Sequence, residues 1–240
     1  MKLSKKAIWF LLVLSSGFQV NGQTYKIFKG DTINRTDAKG LKQGTWKRYY
    51  ENDQLFSLST FSNNIPTGTT MTYYKTGEKQ STMVHDKNGK TSIMTMYWQN
   101  GKVKALGKYV GKEKDSVWVY YNELDSIASI ESYKLGKPHG VWKVFYPSGG
   151  ISEETTWENG AKNGPCVSYF MNGKVKNSRT FKNGTLDGAS LINHTNGKPF
   201  MKGTYLKGLM HGNWQYSNES GALDSVQTYV NGVLKSTTLR

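Results

Sequence analysis

The sequence predicts an all-β chain: tandem 24-residue β-hairpin repeats forming an elongated, twisted antiparallel sheet. Three observations carry this. The first is a column of small residues repeating every 24 positions: Gly44, Gly68, Ser92, Ser116, Gly140, Gly164, Gly188, Gly212. The second lies nine positions on: Asp53, Gly77, Gly101, Asp125, Gly149, Gly173, Gly197, Gly221. The third is an aromatic column eight further, broken once by a histidine: Phe61, His85, Tyr109, Tyr133, Trp157, Phe181, Tyr205, Tyr229. With 26 glycines in 240 residues, chance places fewer than one in any column of eight, yet two columns hold six each. A fixed period in this range signals a repeat array.

Residues 1–22 are of another kind. MKLSKK is basic, AIWFLLVLSSGF is an apolar run too short to span a bilayer, and Val20, Asn21 and Gly22 precede Gln23. This is the pattern of a secretory signal peptide, with cleavage expected between Gly22 and Gln23 and export to the periplasm, cell surface or medium. Residues 23–43 hold a degenerate unit in which Asp37 replaces the aromatic, as expected of an N-terminal capping hairpin that shields the end of an array.

Residues 44–235 hold eight units. Each opens on an aromatic and β-branched run such as VWKVFY (Val141 to Tyr146), which favours a strand. The ninth-position Gly commonly follows Asn or Thr, the short-range signature of a tight hairpin turn. A second strand-like run follows, as in QLFSLSTF (Gln54 to Phe61), then a Gly-rich connector such as ENGAKNG, read as a looser turn. The seventh unit is weaker, with Asn193 in a tyrosine column and Pro199 early in its second strand, where a ladder donor is lost. Residues 236–240 begin a ninth unit and are expected to add a closing strand. No window sustains a helical period. Sixteen strands at roughly 4.8 Å each would extend about 75–80 Å, with a right-handed twist.

Both faces of such a sheet carry apolar columns. Trp46, Trp118, Trp142 and Trp214 share one, while Tyr49, Tyr73, Tyr97, Tyr121, Phe145 and Tyr169 share another of opposite parity. Like residues of adjacent units then pack on one another.

The net charge is +15, or +12 without Lys2, Lys5 and Lys6, a balance that favours anionic partners. Lys42, Lys90, Lys114 and Lys162 share one connector column, predicting a row along a single edge. Cys166 is the only cysteine, stands in the tryptophan column, and reads as a small apolar filler. His139 and His211 occupy one offset three units apart, roughly 29 Å along a sheet, too far to share a metal. No nucleophile elbow, phosphate loop or zinc spacing occurs, and neither a metal nor a cofactor is expected.

The run G-x-W-x-x-Y-Y, followed by an aromatic and spaced glycines, resembles the bacterial variant of the MORN (membrane occupation and recognition nexus) repeat. Gly44, Trp46, Tyr49, Tyr50, Phe61 and Gly68 carry it once, and Gly140, Trp142, Phe145, Tyr146, Gly149, Trp157, Gly160 and Gly164 again. The resemblance implies stacked hairpins serving as a scaffold, in proteins some of which carry an antitoxin-like label. A second likeness, to choline- and glucan-binding cell-wall repeats, implies aromatics that cage ligands between units. The expected function is a non-enzymatic, exported scaffold for protein–protein interaction in the cell envelope. The alternatives are a cell-wall glycan-binding module and peripheral attachment to anionic membrane through the edge lysines. The partner face would draw on Trp118, Tyr121, Trp142 and Tyr146 with Lys42, Lys90, Lys114 and Lys162, toward a protein, envelope glycan or anionic lipid rather than nucleic acid.

Overall fold

The structure, a computed structural model, describes residues 22–240; the signal-peptide segment, apart from Gly22, lies outside the described residues. Strands β1 (Thr24–Phe28) and β2 (Asp31–Thr36) form a first hairpin. Eight units follow. They comprise β3 (Lys42–Tyr49) with β4 (Leu55–Ser62), β5 (Ile65–Tyr73) with β6 (Lys79–His85), β7 (Thr91–Tyr97) with β8 (Val103–Val110), and β9 (Glu113–Tyr121) with β10 (Ile127–Lys134). In the fifth unit the first arm is split into β11 (Lys137–Pro138) and β12 (Gly140–Phe145), paired with β13 (Ile151–Glu158). Then come β14 (Ala161–Tyr169) with β15 (Val175–Lys182), β16 (Thr185–Asn193) with β17 (Pro199–Leu206), and β18 (Leu209–Ser217) with β19 (Leu223–Val230). The last strand, β20 (Val233–Leu239), begins before the expected Ser236.

Every strand pairs antiparallel with its neighbours in sequence, except that β11 and β12 both pair with β10 and not with each other, giving one open sheet of twenty strands among the described residues and no helix. The sixteen arms of the eight units account for seventeen strands, because the first arm of unit five breaks at His139, just before Gly140 at φ +77°. All substantial contacts are between adjacent strands, so each unit is held by its neighbours alone.

The two turns exchange the roles expected of them. The ninth-position glycine closes a three-residue loop: the Gly149 N–H donates to the Tyr146 carbonyl (2.8 Å), and the Tyr146 N–H to the Gly150 carbonyl (2.7 Å). Gly149 lies at φ +95°, and Asp53 and Asp125 adopt the same left-handed region at +61° and +64°. This is the turn-plus-bulge loop that needs left-handed backbone at its last residue. The preceding asparagine is not left-handed; its side chain accepts an amide two residues on, as Asn172 Oδ1 does from Lys174 N (3.0 Å). The tight turn sits in the connector, where Glu158 pairs with Ala161 and both central residues, Asn159 (φ +51°) and Gly160 (φ +92°), are left-handed.

The opening column belongs to neither turn. Gly164 (φ +113°) forms a bulge, where the register between β13 and β14 slips between Thr155 and Trp157. Unit three shows the rule by exception. Its opening residue, Ser92, is not left-handed, and β6 pairs with β7 without a slip.

Alternation along the strands gives the sheet two faces. Seven of the eight buried residues (Ser81, Ser92, Ala105, Trp118, Thr155, Ser190 and Trp214, but not Ile33 of the first hairpin) share one face, here the tryptophan face. A single-layer sheet can enclose a tryptophan only if the ring lies flat on the next strand. Accordingly a Cβ added at Gly107 would stand 2.1 Å from Trp118 Cδ2, and one at Gly203 would stand 2.3 Å from Trp214 Cδ2. The other, open face carries the Tyr49 to Tyr169 column.

Candidate binding faces

On the tryptophan face, rings from successive units interlock. The Trp118 ring lies 5.1 Å edge-on from Tyr109, and Trp142 stands 5.1 Å from both Tyr133 and Trp157. The indole N–H groups of Trp118 and Trp142 donate to the carbonyls of Lys108 (3.1 Å) and Ser132 (2.7 Å) on the strand before. Trp118, with no exposed surface, offers a partner nothing.

The connector lysines are not a free row. The Lys42 ammonium stands 4.5 Å from the Trp46 ring and 5.0 Å from Phe61. Lys114 lies among Trp118 (4.7 Å), Tyr133 (4.9 Å) and Tyr120 (5.2 Å), and donates to the Tyr120 hydroxyl. Lys162 stands 5.7 Å from Trp157 and 5.3 Å from Phe181. Each head is drawn onto ring faces of its own chain by the ring quadrupole. Lys90 is exposed with no ring beside it among the described residues, and its carbonyl accepts the Gly111 N–H (2.7 Å).

The structure therefore brings Lys114, Trp118 and Trp142 together on one face and leaves Tyr121 on the other. Tyr146 belongs to a different device. Its hydroxyl donates to the Tyr169 carbonyl one unit on (2.6 Å), as Tyr50 does to Tyr73 (2.8 Å) and Tyr74 to Tyr97 (2.7 Å). Trp98 Nε1 repeats the bond to Tyr121 (3.3 Å), and His194 Nε2 meets the Ser217 carbonyl at 2.9 Å. This ladder staples hairpin to hairpin near the three-residue loops. Gly22 and Gln23 are exposed, ahead of β1.

Two members of the Lys114 cluster, Tyr120 and Glu131, escape a reading by repeat columns because the columns they stand in have no common residue. Tyr133 donates to Glu131 Oε2 (2.6 Å), and Ser129 to Oε1 (3.1 Å). Burial, with the Glu131 charge second, pushes the Tyr120 phenol up to about 12. Burial and the bond to Glu131 push Tyr133 up as well. Both phenols are thus held neutral, Tyr133 as a donor to Glu131 and Tyr120 as an acceptor from Lys114. Among the described residues no three of His, Cys, Asp and Glu gather where they could hold a metal ion.

The open face changes character midway. One cross-strand row runs Lys47, Leu58, Met71, Thr82, Thr95, Leu106, Val119, Ile130, Lys143, each residue directly paired with the next. It continues as Glu154, Val167, Ser178, Leu191, Lys202 and Gln215. The first part is mainly apolar and the second mainly polar. Beside the first part, Val84, Ile93, Leu106, Val117 and Val141 each leave 41–51% of their surface exposed.

Residues 42–63 and 138–159 match the family model of the MORN repeat variant. No curated protein matches the chain. Among solved structures, a chain of TarM is similar at 10% identity over 59% of this chain and 21% of that one, with a TM-score of 0.29. A chain of TcdB2-TccC3-TEV is similar at 11% identity over 85% and 15%, with a TM-score of 0.23. This chain therefore spans about a fifth or less of the solved chains, and likenesses at these scores carry no argument. The two matched segments therefore carry the MORN repeat variant, a generally non-catalytic kind of repeat that points to binding, and lie within a chain built throughout of like hairpins.

Proposed function

We propose that this chain is a non-enzymatic, exported scaffold that holds a protein partner on the open face of its first five units, in the cell envelope. The observation that carries the reading is the apolar stripe of Val84, Ile93, Leu106, Val117 and Val141, which no part of the described chain covers. Exposed apolar residues arrayed together, rather than scattered, mark protein interaction surfaces. The rim is charged: Lys108 pairs across the strands with Ile93 and Asp115, and Lys143 with Ile130. Export rests on the basic and apolar pattern of residues 1–22.

The test introduces Leu106→Glu and Val117→Glu together, at surface positions where the fold has little to lose, and recovers partners from the native envelope by affinity purification. Expected is a partner bound by the wild type and lost by the variant, with unchanged circular dichroism. A partner retained by the folded variant, or none captured from the envelope by the wild type, overturns the reading.

A further inference from the structure

The open face of units five to eight carries a second feature, which meets the apolar stripe only at its end, at Val141 and Lys143. The tyrosine column that covers this face through Tyr169 stops there: the next two positions are Asn193 and Ser217. From the strands just before Tyr169 onward, the surface sinks into three hollows of about 300, 690 and 500 Å³. Val167 lines both the first and the second; Ser178 and Leu191 line both the second and the third. The hollows therefore form one trough along the paired row from Lys143 to Gln215, across seven strands and about 29 Å at the strand spacing.

We propose that this trough binds a linear acidic glycan, a polymer of uronic-acid sugars lying along the repeat axis. The direction excludes strand addition, because a chain lying across strands meets side chains rather than free backbone N–H and C=O groups. The floor mixes aliphatic Val167 and Leu191 with the hydroxyl of Ser178 and the amides of Asn193 and Gln215, suited to a sugar's alternating C–H and O–H surface. One ring stands at the trough, that of Tyr169, fixed by its hydroxyl on Glu154 (2.8 Å). A single ring suits a pyranose plane, whereas a single-stranded nucleic acid calls for successive stacking platforms.

Charge selects the acidic class. Glu154 is matched by Lys143 (3.1 Å), but Lys174 and Lys202, both exposed, have no carboxylate within ion-pair distance among the described residues. Lys174 Nζ donates to the Asn196 carbonyl (2.7 Å), which holds the ammonium at the trough's margin without neutralising it.

The decisive variant is Asn193→Tyr, which restores the residue found at Tyr49, Tyr73, Tyr97, Tyr121 and Tyr169, fills the middle hollow, and leaves the charge unaltered. The probe is polygalacturonate, measured by calorimetry at about 0.1 M salt, with neutral dextran and inorganic polyphosphate as comparisons. Expected is binding of polygalacturonate in preference to both, weakened about tenfold or more by Asn193→Tyr without loss of thermal stability. Lys174→Met with Lys202→Met, at exposed sites, should weaken it similarly and covers the case in which Asn193→Tyr does not fold. Leu106→Glu, on the other half of the face, should leave it unchanged, which separates this site from the protein-binding stripe. No binding of polygalacturonate, equal binding by a folded Asn193→Tyr protein, or equal affinity for polyphosphate overturns the proposal.

Discussion

Single residues in this chain are chosen for backbone hand as much as for contact. Ser116 is the sharpest case: it stands at the bulge position at φ +61°, where five of its six counterparts outside unit three are plain left-handed glycines and the sixth, Gly140, follows the break between β11 and β12. A left-handed non-glycine residue costs about 1–2 kcal/mol, part of which glycine returns as chain entropy. Ser116→Gly should therefore stabilise the protein by about 0.5–1 kcal/mol in urea denaturation; a loss of stability would mean that the bond from Ser116 Oγ to Asp115 (2.9 Å) outweighs the strain. Gly107 is constrained by contact instead. Its missing Cβ is the space in which the Trp118 ring lies, so Gly107→Ala should lift the indole and cost about 1–3 kcal/mol, the range of overpacked cores. Indole fluorescence shifted toward the solvent-exposed value would report the same event. The Lys114 cluster adds a pH dependence. Below about pH 10 the Tyr120 phenol is neutral in folded and unfolded chains alike; above it the unfolded phenol ionises while the folded one resists to about 12. Stability should thus fall as pH rises through that interval, and Tyr120→Phe should remove part of the slope of thermal midpoint against pH.

At the scale of the hairpin, the period and the order of strands could be read from the sequence, but the use made of each glycine could not. Gly149, Gly160 and Gly164 all need left-handed backbone, yet one closes a three-residue loop, one completes a two-residue turn and one makes a bulge. A glycine column reports the hand it permits and not the hydrogen bond it serves, so the tight and the looser turn were exchanged. The lysine column misled for a related reason: Lys42, Lys114 and Lys162 share a position, but what that position faces is the ring of the next unit. The middle of the trough was hidden because an absence makes it, Asn193 standing where a ring is expected. The tyrosine ladder allows a direct test of how hairpins are coupled. Tyr146→Phe keeps the ring and removes only the donor to the Tyr169 carbonyl, so it should cost about 1 kcal/mol, the net worth of one such bond. A variant as stable as wild type would show that packing alone joins these units.

For the whole molecule, an open sheet whose contacts join only neighbouring strands has no central core to make its unfolding all-or-none. Stability is then a sum over units and the interfaces between them, and damage stays near where it is made. Trp142 is the place to test this. Its ring bridges β10 through Tyr133 and β13 through Trp157, and its N–H is bonded to Ser132, so Trp142→Ala removes a contact shared by two units. Truncating a packed aromatic typically costs about 3–5 kcal/mol. In a cooperative globule that loss would lower the protection of every slowly exchanging amide together. Here hydrogen exchange should rise in β10 to β14 and stay near its wild-type rate in β17 to β20, which neither touch Trp142 nor pair with a strand that does. The same variant should leave polygalacturonate binding weakened only as far as β12 to β14 contribute to the trough. Uniform deprotection from β3 to β20 would show that the sheet folds as one unit, and the nearest-neighbour account of its stability would have to be given up.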